Sequence, residues 1–239
     1  MFFLNKKYSL SELNVFEGWT DCHSHILPGV DDGIRSLKDS LLVLAYYEQL
    51  GVKKVWLTPH IMEECPNEPA ELRERFFELQ RVYSETESNK KIELCLAAEN
   101  MIDSLFVKRL EQGNLLTYGD KGNELLVETS YAQAPYRFKL ILQDIRKAGL
   151  IPVLAHPERY RYMDYDDYDT LHDQGVRFQL NITSLAGAYG PEPKERAEYL
   201  LEEGYYTYHG SDLHSLSSFK RAITEKTIRK KTRMILDSK

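Results

Sequence analysis

Short apolar runs alternate along this chain with longer stretches whose apolar positions recur at helical spacing, the pattern of parallel strands joined by crossover helices. The runs fall at residues 19–25, 52–60, 92–99, 124–129, 151–156, 177–181 and 205–212, and each predicts a strand. Between the first two, residues 37–50 carry Leu37, Leu41, Leu44 and Ala45 at roughly helical spacing, and Gly51 follows where a C-cap glycine belongs. Residues 138–148 before Gly149, and 195–203 before Gly204, repeat the plan. Segments 70–88 and 215–236 are charged and helical in composition, with Pro66 and Pro69 marking a turn ahead of the former. No linker or low-complexity break interrupts the series, so residues 1–239 read as one domain.

Seven such units build either an open doubly wound sheet or a closed barrel. Open sheets gather ligands at one switch point, whereas here nearly every strand ends on a potential metal ligand, which favours closure. The strand ends carry His23 and His25, His60, Glu99, Glu128, His156, Asn181, then Asp212 and His214.

Composition sets limits on partners and compartment. With 239 residues, 42% hydrophobic and 28% charged, the chain can bury one sizeable core. A net charge of −6 argues against nucleic acid as the main partner. Cys22, Cys65 and Cys95 are odd in number and lack CxxC spacing, so neither a disulfide framework nor a thiolate zinc site is expected, and a reducing cytoplasm suits them. The apolar start Met1-Phe-Phe-Leu4 is too short for a signal peptide, and no run of 18 apolar residues occurs, so a soluble protein without membrane insertion is expected.

The strand-end residues point to metal chemistry. In Asp21-Cys22-His23-Ser24-His25 the two histidines share a strand face, because side chains alternate, and both reach one ion. The turn Pro28-Gly29-Val30-Asp31-Asp32-Gly33 adds two acids, either of which also suits a helix N-terminus. Glu99 and Glu128 each end an apolar run, where an unpaired carboxylate is costly to bury and a cation removes the cost. Gly210-Ser211-Asp212-Leu213-His214 repeats the alternate-residue spacing. Imidazole and carboxylate without thiolate suit Mn²⁺, Fe or Zn²⁺, and so many ligands imply more than one ion.

Taken with Thr58-Pro59-His60, Ala98-Glu99, Val127-Glu128 and Ala155-His156-Pro157-Glu158-Arg159-Tyr160, these motifs resemble the PHP (polymerase and histidinol phosphatase) superfamily over residues 19 to 215. Within it they look most like the bacterial protein-tyrosine phosphatases of capsular and extracellular polysaccharide synthesis. The resemblance implies a distorted TIM-like (β/α)₇ barrel with three metal ions, commonly manganese or iron, at its C-terminal face. It assigns His23, His25, Asp32, His60, Glu99, Glu128, His156, Asp212 and His214 as ligands and Arg159 as a contact of the substrate phosphate. The family's second phosphate-binding arginine has no counterpart at the usual spacing, and Arg221 or Lys220 stands in for it from the next helical turn. Asn181 is a further polar candidate for the site, whereas His209 is expected to pack in the core.

Phosphate monoesters hydrolyse slowly on their own, and metal ions acidify water and neutralise the phosphate, so a metal-bridging hydroxide is the expected nucleophile. Cys22 lacks the Cys-x₅-Arg loop of a thiolate phosphatase. Arg159 would steady the phosphoryl oxygens by paired hydrogen bonds, and Asp212, His214 or a neighbouring group would protonate the leaving group. The expected substrate is phosphotyrosine on the flexible tail of a membrane-associated bacterial kinase. The basic stretch Arg229-Lys230-Lys231 with Arg233 is a candidate attractant for that tail, and the tyrosine-rich loop 160–168 a candidate entrance. Two alternatives are a phosphatase of a small molecule such as histidinol phosphate and a catalytically silent metal-binding docking module. An amidohydrolase fits less well, because Glu128 occupies the strand end where such enzymes place a lysine.

Overall fold

The structure is a computed structural model that describes residues 8–88, 91–119 and 121–236. In chain order its strands are β1 (Tyr8–Ser9), β2 (Thr20–Ser24), β3 (Lys54–Leu57), β4 (His60–Ile61), β5 (Glu93–Leu96), β6 (Glu99–Met101), β7 (Glu124–Glu128), β8 (Ile151–Ala155), β9 (Arg177–Asn181), β10 (Tyr206–Gly210) and β11 (Thr227–Ile228). The helices are α1 (Leu37–Leu50), α2 (Pro69–Ser84), α3 (Ser104–Gln112), α4 (Phe138–Lys147), α5 (Tyr165–Asp173), α6 (Ile182–Leu185), α7 (Pro191–Glu202), α8 (Leu216–Glu225) and α9 (Lys230–Leu236).

Every predicted strand is present, two of them in halves. Pro59, which has no N–H to give a ladder, falls between β3 and β4. The neighbouring run breaks in step, so β5 pairs with β3 and β6 with β4. The result is an α/β fold whose strands from β2 to β10 pair in parallel. The ladders do not form the continuous closed barrel expected from sequence. They form two open sheets, a six-stranded one in the order β10-β9-β8-β7-β6-β4 and a three-stranded one in the order β2-β3-β5.

At the seam between β2 and β10 the backbone bonds among the described residues come from beyond the end of β10. The Asp212 N–H donates to His23 O (2.8 Å) and the His25 N–H to Leu213 O (3.1 Å). Buried Asp21 ties the rest of the seam. Its Oδ2 accepts from the Tyr47 hydroxyl (2.8 Å) and the Ser211 hydroxyl (2.6 Å), and its Oδ1 from the Ser211 N–H (2.8 Å). Burial nonetheless pushes its carboxyl up to about 6.

Strand alternation sorts the apolar side chains into two groups. Leu125, Val127, Leu154, Phe178 and Leu180 face out and pack with the helices. Cys22, Ala97, Leu126, Val153 and Ala155 gather with Tyr118 in a separate inner cluster. Helix α1 shows how the outer layer is held. Ser36 caps it by accepting from the Asp39 N–H, Gly51 ends it at φ 87°, and Val43, Leu44 and Tyr47 are buried beneath. Each such buried side chain contributes about 1.5–3 kcal/mol.

The helix predicted over 215–236 is instead α8 and α9, separated by β11, which pairs antiparallel with β1. Helix α5 takes up part of the predicted 160–168 loop, and its Asp164 capping box is the local reason. Among the described residues no helix is long and apolar enough to cross a membrane.

Tyr47→Phe removes one donor from the buried Asp21 carboxylate while keeping the ring. It is expected to lower unfolding free energy by about 1–2 kcal/mol in urea titrations; an unchanged midpoint would mean that the Tyr47 bond does not help to hold the seam.

Candidate metal centre

Parallel strands present their C-terminal ends to one face, and the predicted ligands arrive there from separate elements. His23 lies in β2 and His25 just beyond it, while His60 and Glu99 open β4 and β6. Glu128 closes β7, His156 follows β8, and Asp212 and His214 follow β10. Three overlapping groups have ligand atoms within 4.8 Å of one another: His25, Asp32, His60 and His214; His23, His25, Glu99 and Asp212; and His60, Glu99 and Glu128. His156 joins them through Nε2, which is 3.0 Å from Glu99 Oε1. The structure therefore brings all nine together.

Hydrogen bonds behind the rings set the direction of their lone pairs. His23 Nδ1 lies 2.8 Å from Gln179 Oε1, and His25 Nδ1 lies 2.8 Å from Asp31 Oδ2. Both partners are acceptors, so each ring holds a proton on Nδ1 and turns its Nε2 inward. Those two Nε2 atoms are 3.1 Å apart. Neutral rings would oppose lone pairs at that distance, so the pair calls for positive charge, a proton or a cation, between or beside them. The surroundings favour such charge: burial opposes protonation of His23, but Glu99 and Asp212 outweigh it and push the ring up to about 9. His25 moves in the same direction, against burial, through Asp212, Asp31 and Glu99.

Buried His60 Nδ1 meets Glu128 Oε1 (3.0 Å) and Glu99 Oε2 (3.1 Å) as charge contacts only, and buried His156 Nδ1 has no hydrogen-bond partner. Buried polar atoms are seldom left so, and a thiolate-free set of imidazoles and carboxylates suits divalent cations. The residues fit metal ions.

Local backbone builds the cradle. Gly33 packs so closely on His25 that a Cβ there would lie 2.4 Å from the His25 carbonyl oxygen. This presses the acidic turn against the strand and separates its two acids. Asp31 turns inward as a brace, accepting from the Gly33 N–H (2.9 Å) and the His60 N–H (3.1 Å) besides meeting His25. Asp32 turns outward, 3.3 Å from His214 Nε2 and 3.5 Å from His60 Nε2. His156 (φ 34°) and Asp212 (φ 51°) hold left-handed backbone that residues with a Cβ seldom adopt.

Beside the cluster lies a cavity of about 550 Å³. Arg159 forms part of its wall, donating from Nη1 to Asp212 Oδ2 (2.7 Å) between the rings of Tyr131 (4.3 Å) and Tyr189 (4.1 Å). Stacking on both faces holds the guanidinium plane fixed. Asn181 Nδ2 donates to Asp212 Oδ2 (3.0 Å) and to the Tyr189 hydroxyl (2.9 Å). Arg221 lines the same cavity from α8, exposed, whereas Lys220 lies over the Tyr46 ring.

Several side chains that shape the site were not singled out from sequence. Gln179 had a signal, since Arg177, Gln179 and Asn181 alternate on one strand face. Tyr131 and Tyr189 come from loops without periodic pattern, and they take the entrance position expected of 160–168. Tyr160, Tyr162 and Tyr168 are instead tied to Thr129 and Pro157. The basic stretch is also engaged: Arg229 pairs with Glu198, Lys231 with Glu202, and Arg233 lies over Tyr8. His209 is half-buried on the wall of a different cavity. Cys22 borders that second cavity too, and burial pushes its thiol up to about 12, which removes it as a thiolate nucleophile.

Comparison with known proteins agrees with this geometry. A family model described as capsular polysaccharide synthesis, CpsB/CapC, matches residues 19–235. The tyrosine-protein phosphatase YwqE of Bacillus subtilis is 29% identical over 202 residues, covering 83% of this chain and 78% of the relative. The tyrosine-protein phosphatase CpsB of Streptococcus pneumoniae is 30% identical over 211 residues, covering 83% and 84%. A crystal structure from work on these two proteins, described as unique metal-dependent tyrosine phosphatases, superposes with a TM-score of 0.77 at 26% identity, over 92% of this chain and 87% of the other.

Gln179→Leu leaves His23 free to change tautomer. Calorimetric titration of metal-stripped protein with Mn²⁺ is expected to show affinity reduced about 10–100-fold, with folding retained. Undiminished affinity would rule out the tautomer argument.

Proposed function

Because the chain belongs to the CpsB/CapC family of capsular polysaccharide synthesis, we propose that it is a metal-dependent protein-tyrosine phosphatase. The observation that carries this reading is the pair of inward Nε2 atoms 3.1 Å apart, set among carboxylates and beside a stacked arginine in one cavity. His23, His25, Asp32, His60, Glu99, Glu128, His156, Asp212 and His214 would hold the ions, three of them by family resemblance, with Mn²⁺ the first choice ahead of Fe or Zn²⁺. Bound there, divalent cations neutralise phosphate charge and lower the pKa of water.

The chain's own residues position the substrate. Arg159, fixed between two rings, offers its remaining N–H groups to phosphoryl oxygens, and Arg221 adds positive charge to the lining of the same cavity. Tyr131 and Tyr189 flank the guanidinium with apolar ring surface suited to an aryl leaving group. Asp212 has Oδ2 engaged by Arg159 and Asn181 and Oδ1 facing His23 and His25, so it braces the site and does not carry a proton. The phenolate leaves at the cavity lip, where His214 is partly exposed, and takes its proton from solvent there.

The same reading takes the two open sheets as one interrupted TIM-like barrel and residues 1–239 as one catalytic unit in the cytoplasm. The substrate is phosphotyrosine on the tail of a membrane-associated tyrosine kinase that governs capsule or exopolysaccharide synthesis. With bound Mn²⁺, the protein is expected to turn over a phosphotyrosine peptide in clear preference to histidinol phosphate. Arg159→Ala should retain its metal, by elemental analysis, and lose about a hundredfold in kcat/KM. Preference for histidinol phosphate, or full activity in that variant, would overturn the assignment.

A further inference from the structure

Arg109 on α3 is a buried cation that belongs neither to the ligand groups nor to the cavity wall beside them. Its guanidinium instead grips the segment between β4 and α2. Nη1 donates to Asn67 O (2.6 Å), and Nη2 pairs with Glu68 Oε1 (2.8 Å). The same segment is tied to the start of α3 a second time, where the Glu63 N–H donates to Asp103 Oδ2 (2.8 Å). An arginine taken out of water needs such partners, and with them its planar fork is a rigid anchor.

Asn67 carries that anchorage to the ligand candidates. Its side-chain Nδ2 donates to His60 O (2.9 Å) and to Val30 O (2.8 Å). His60 is a ligand candidate itself, and Val30 leads directly into Asp31 and Asp32. Two carbonyl oxygens need two N–H donors from one short side chain, which an amide offers and a carboxylate or a hydroxyl does not. Cys65 Sγ also reaches Val30 O, at 3.3 Å, but a thiol is a weak donor.

This strut ends at the least supported ligand. Among the described residues Asp32 accepts no hydrogen bond and only approaches His214 Nε2 (3.3 Å) and His60 Nε2 (3.5 Å). Its side chain is 75% exposed, against 4% or less for His23, His25, Glu99 and Asp212. Strands and their ends seat those four, whereas Asp32 depends on the backbone of its turn. It belongs to a single ligand group, with His25, His60 and His214.

We propose that Asn67, braced by Arg109, is a positioning residue for the outermost ion of the centre, the one that Asp32 would hold; the role rests on the metal-phosphatase reading. By fixing Val30 against His60, Asn67 keeps the Asp32 carboxylate facing His60 and His214, so the turn is already ordered when a cation arrives. The group of His23, His25, Glu99 and Asp212 contains no residue that Asn67 touches.

Calorimetric titration of metal-stripped full-length protein with Mn²⁺, paired with elemental analysis, separates the ions by affinity. The outermost ion, the most exposed, is expected to be the loosest. Asn67→Ala should weaken that class about 10–100-fold and leave the tightest class unchanged. Its turnover of p-nitrophenyl phosphate should fall at limiting Mn²⁺ and recover at saturating Mn²⁺. Arg109→Lys, which keeps one donor for Asn67 O, should fall between this variant and the parent. A parent-like isotherm for Asn67→Ala would overturn the role, as would equal weakening of every class, the mark of a general loss of structure. A parent chain that takes up no Mn²⁺ would instead overturn the metal-centre reading, and this role with it.

Discussion

Two imidazoles whose Nε2 atoms meet at 3.1 Å call for positive charge, a proton or a cation, beside them, and much of this molecule serves to impose that arrangement. Gln179 and Asp31 fix the tautomers from behind, and Gly33 lets the acidic turn approach closely enough to do so. Glu99 and Asp212 meet that need by drawing positive charge into the cluster. The folded chain is thus electrostatically incomplete. Binding of cations supplies free energy that the apo protein lacks, and folding and metal affinity are coupled as a result.

The fold was legible where hydrophobic periodicity is strong. All seven strand runs appear, because each carries a buried outer face and ends at a polar site. Closure of the sheet was not legible, since it depends on whether strand edges exchange backbone bonds, and Pro59 and the β2–β10 seam limit that exchange. The division of 215–236 was equally hidden, because β11 exists only by pairing with β1 at the far end of the chain.

For the site, residue types and spacing sufficed to gather the nine metal-ligand candidates, yet not the side chains that orient them. Asp31 and Asp32 are neighbours of the same type, and only the close packing of Gly33 decides which one turns inward. The clamp on Arg159 comes from two loops, whose conformation is set by tertiary contacts that leave no periodic trace. The tyrosine-rich segment drew attention by composition, but its hydroxyls serve internal hydrogen bonds.

His156 and Asp212 sit in left-handed backbone, a conformation that glycine adopts freely and other residues adopt at a cost of order 1–3 kcal/mol. At these two positions selection for folding and selection for chemistry pull apart. A population of variants screened only for thermal resistance would drift there toward glycine and lose function without losing shape. Screened for turnover, it would keep the strained residues and gain its stability elsewhere.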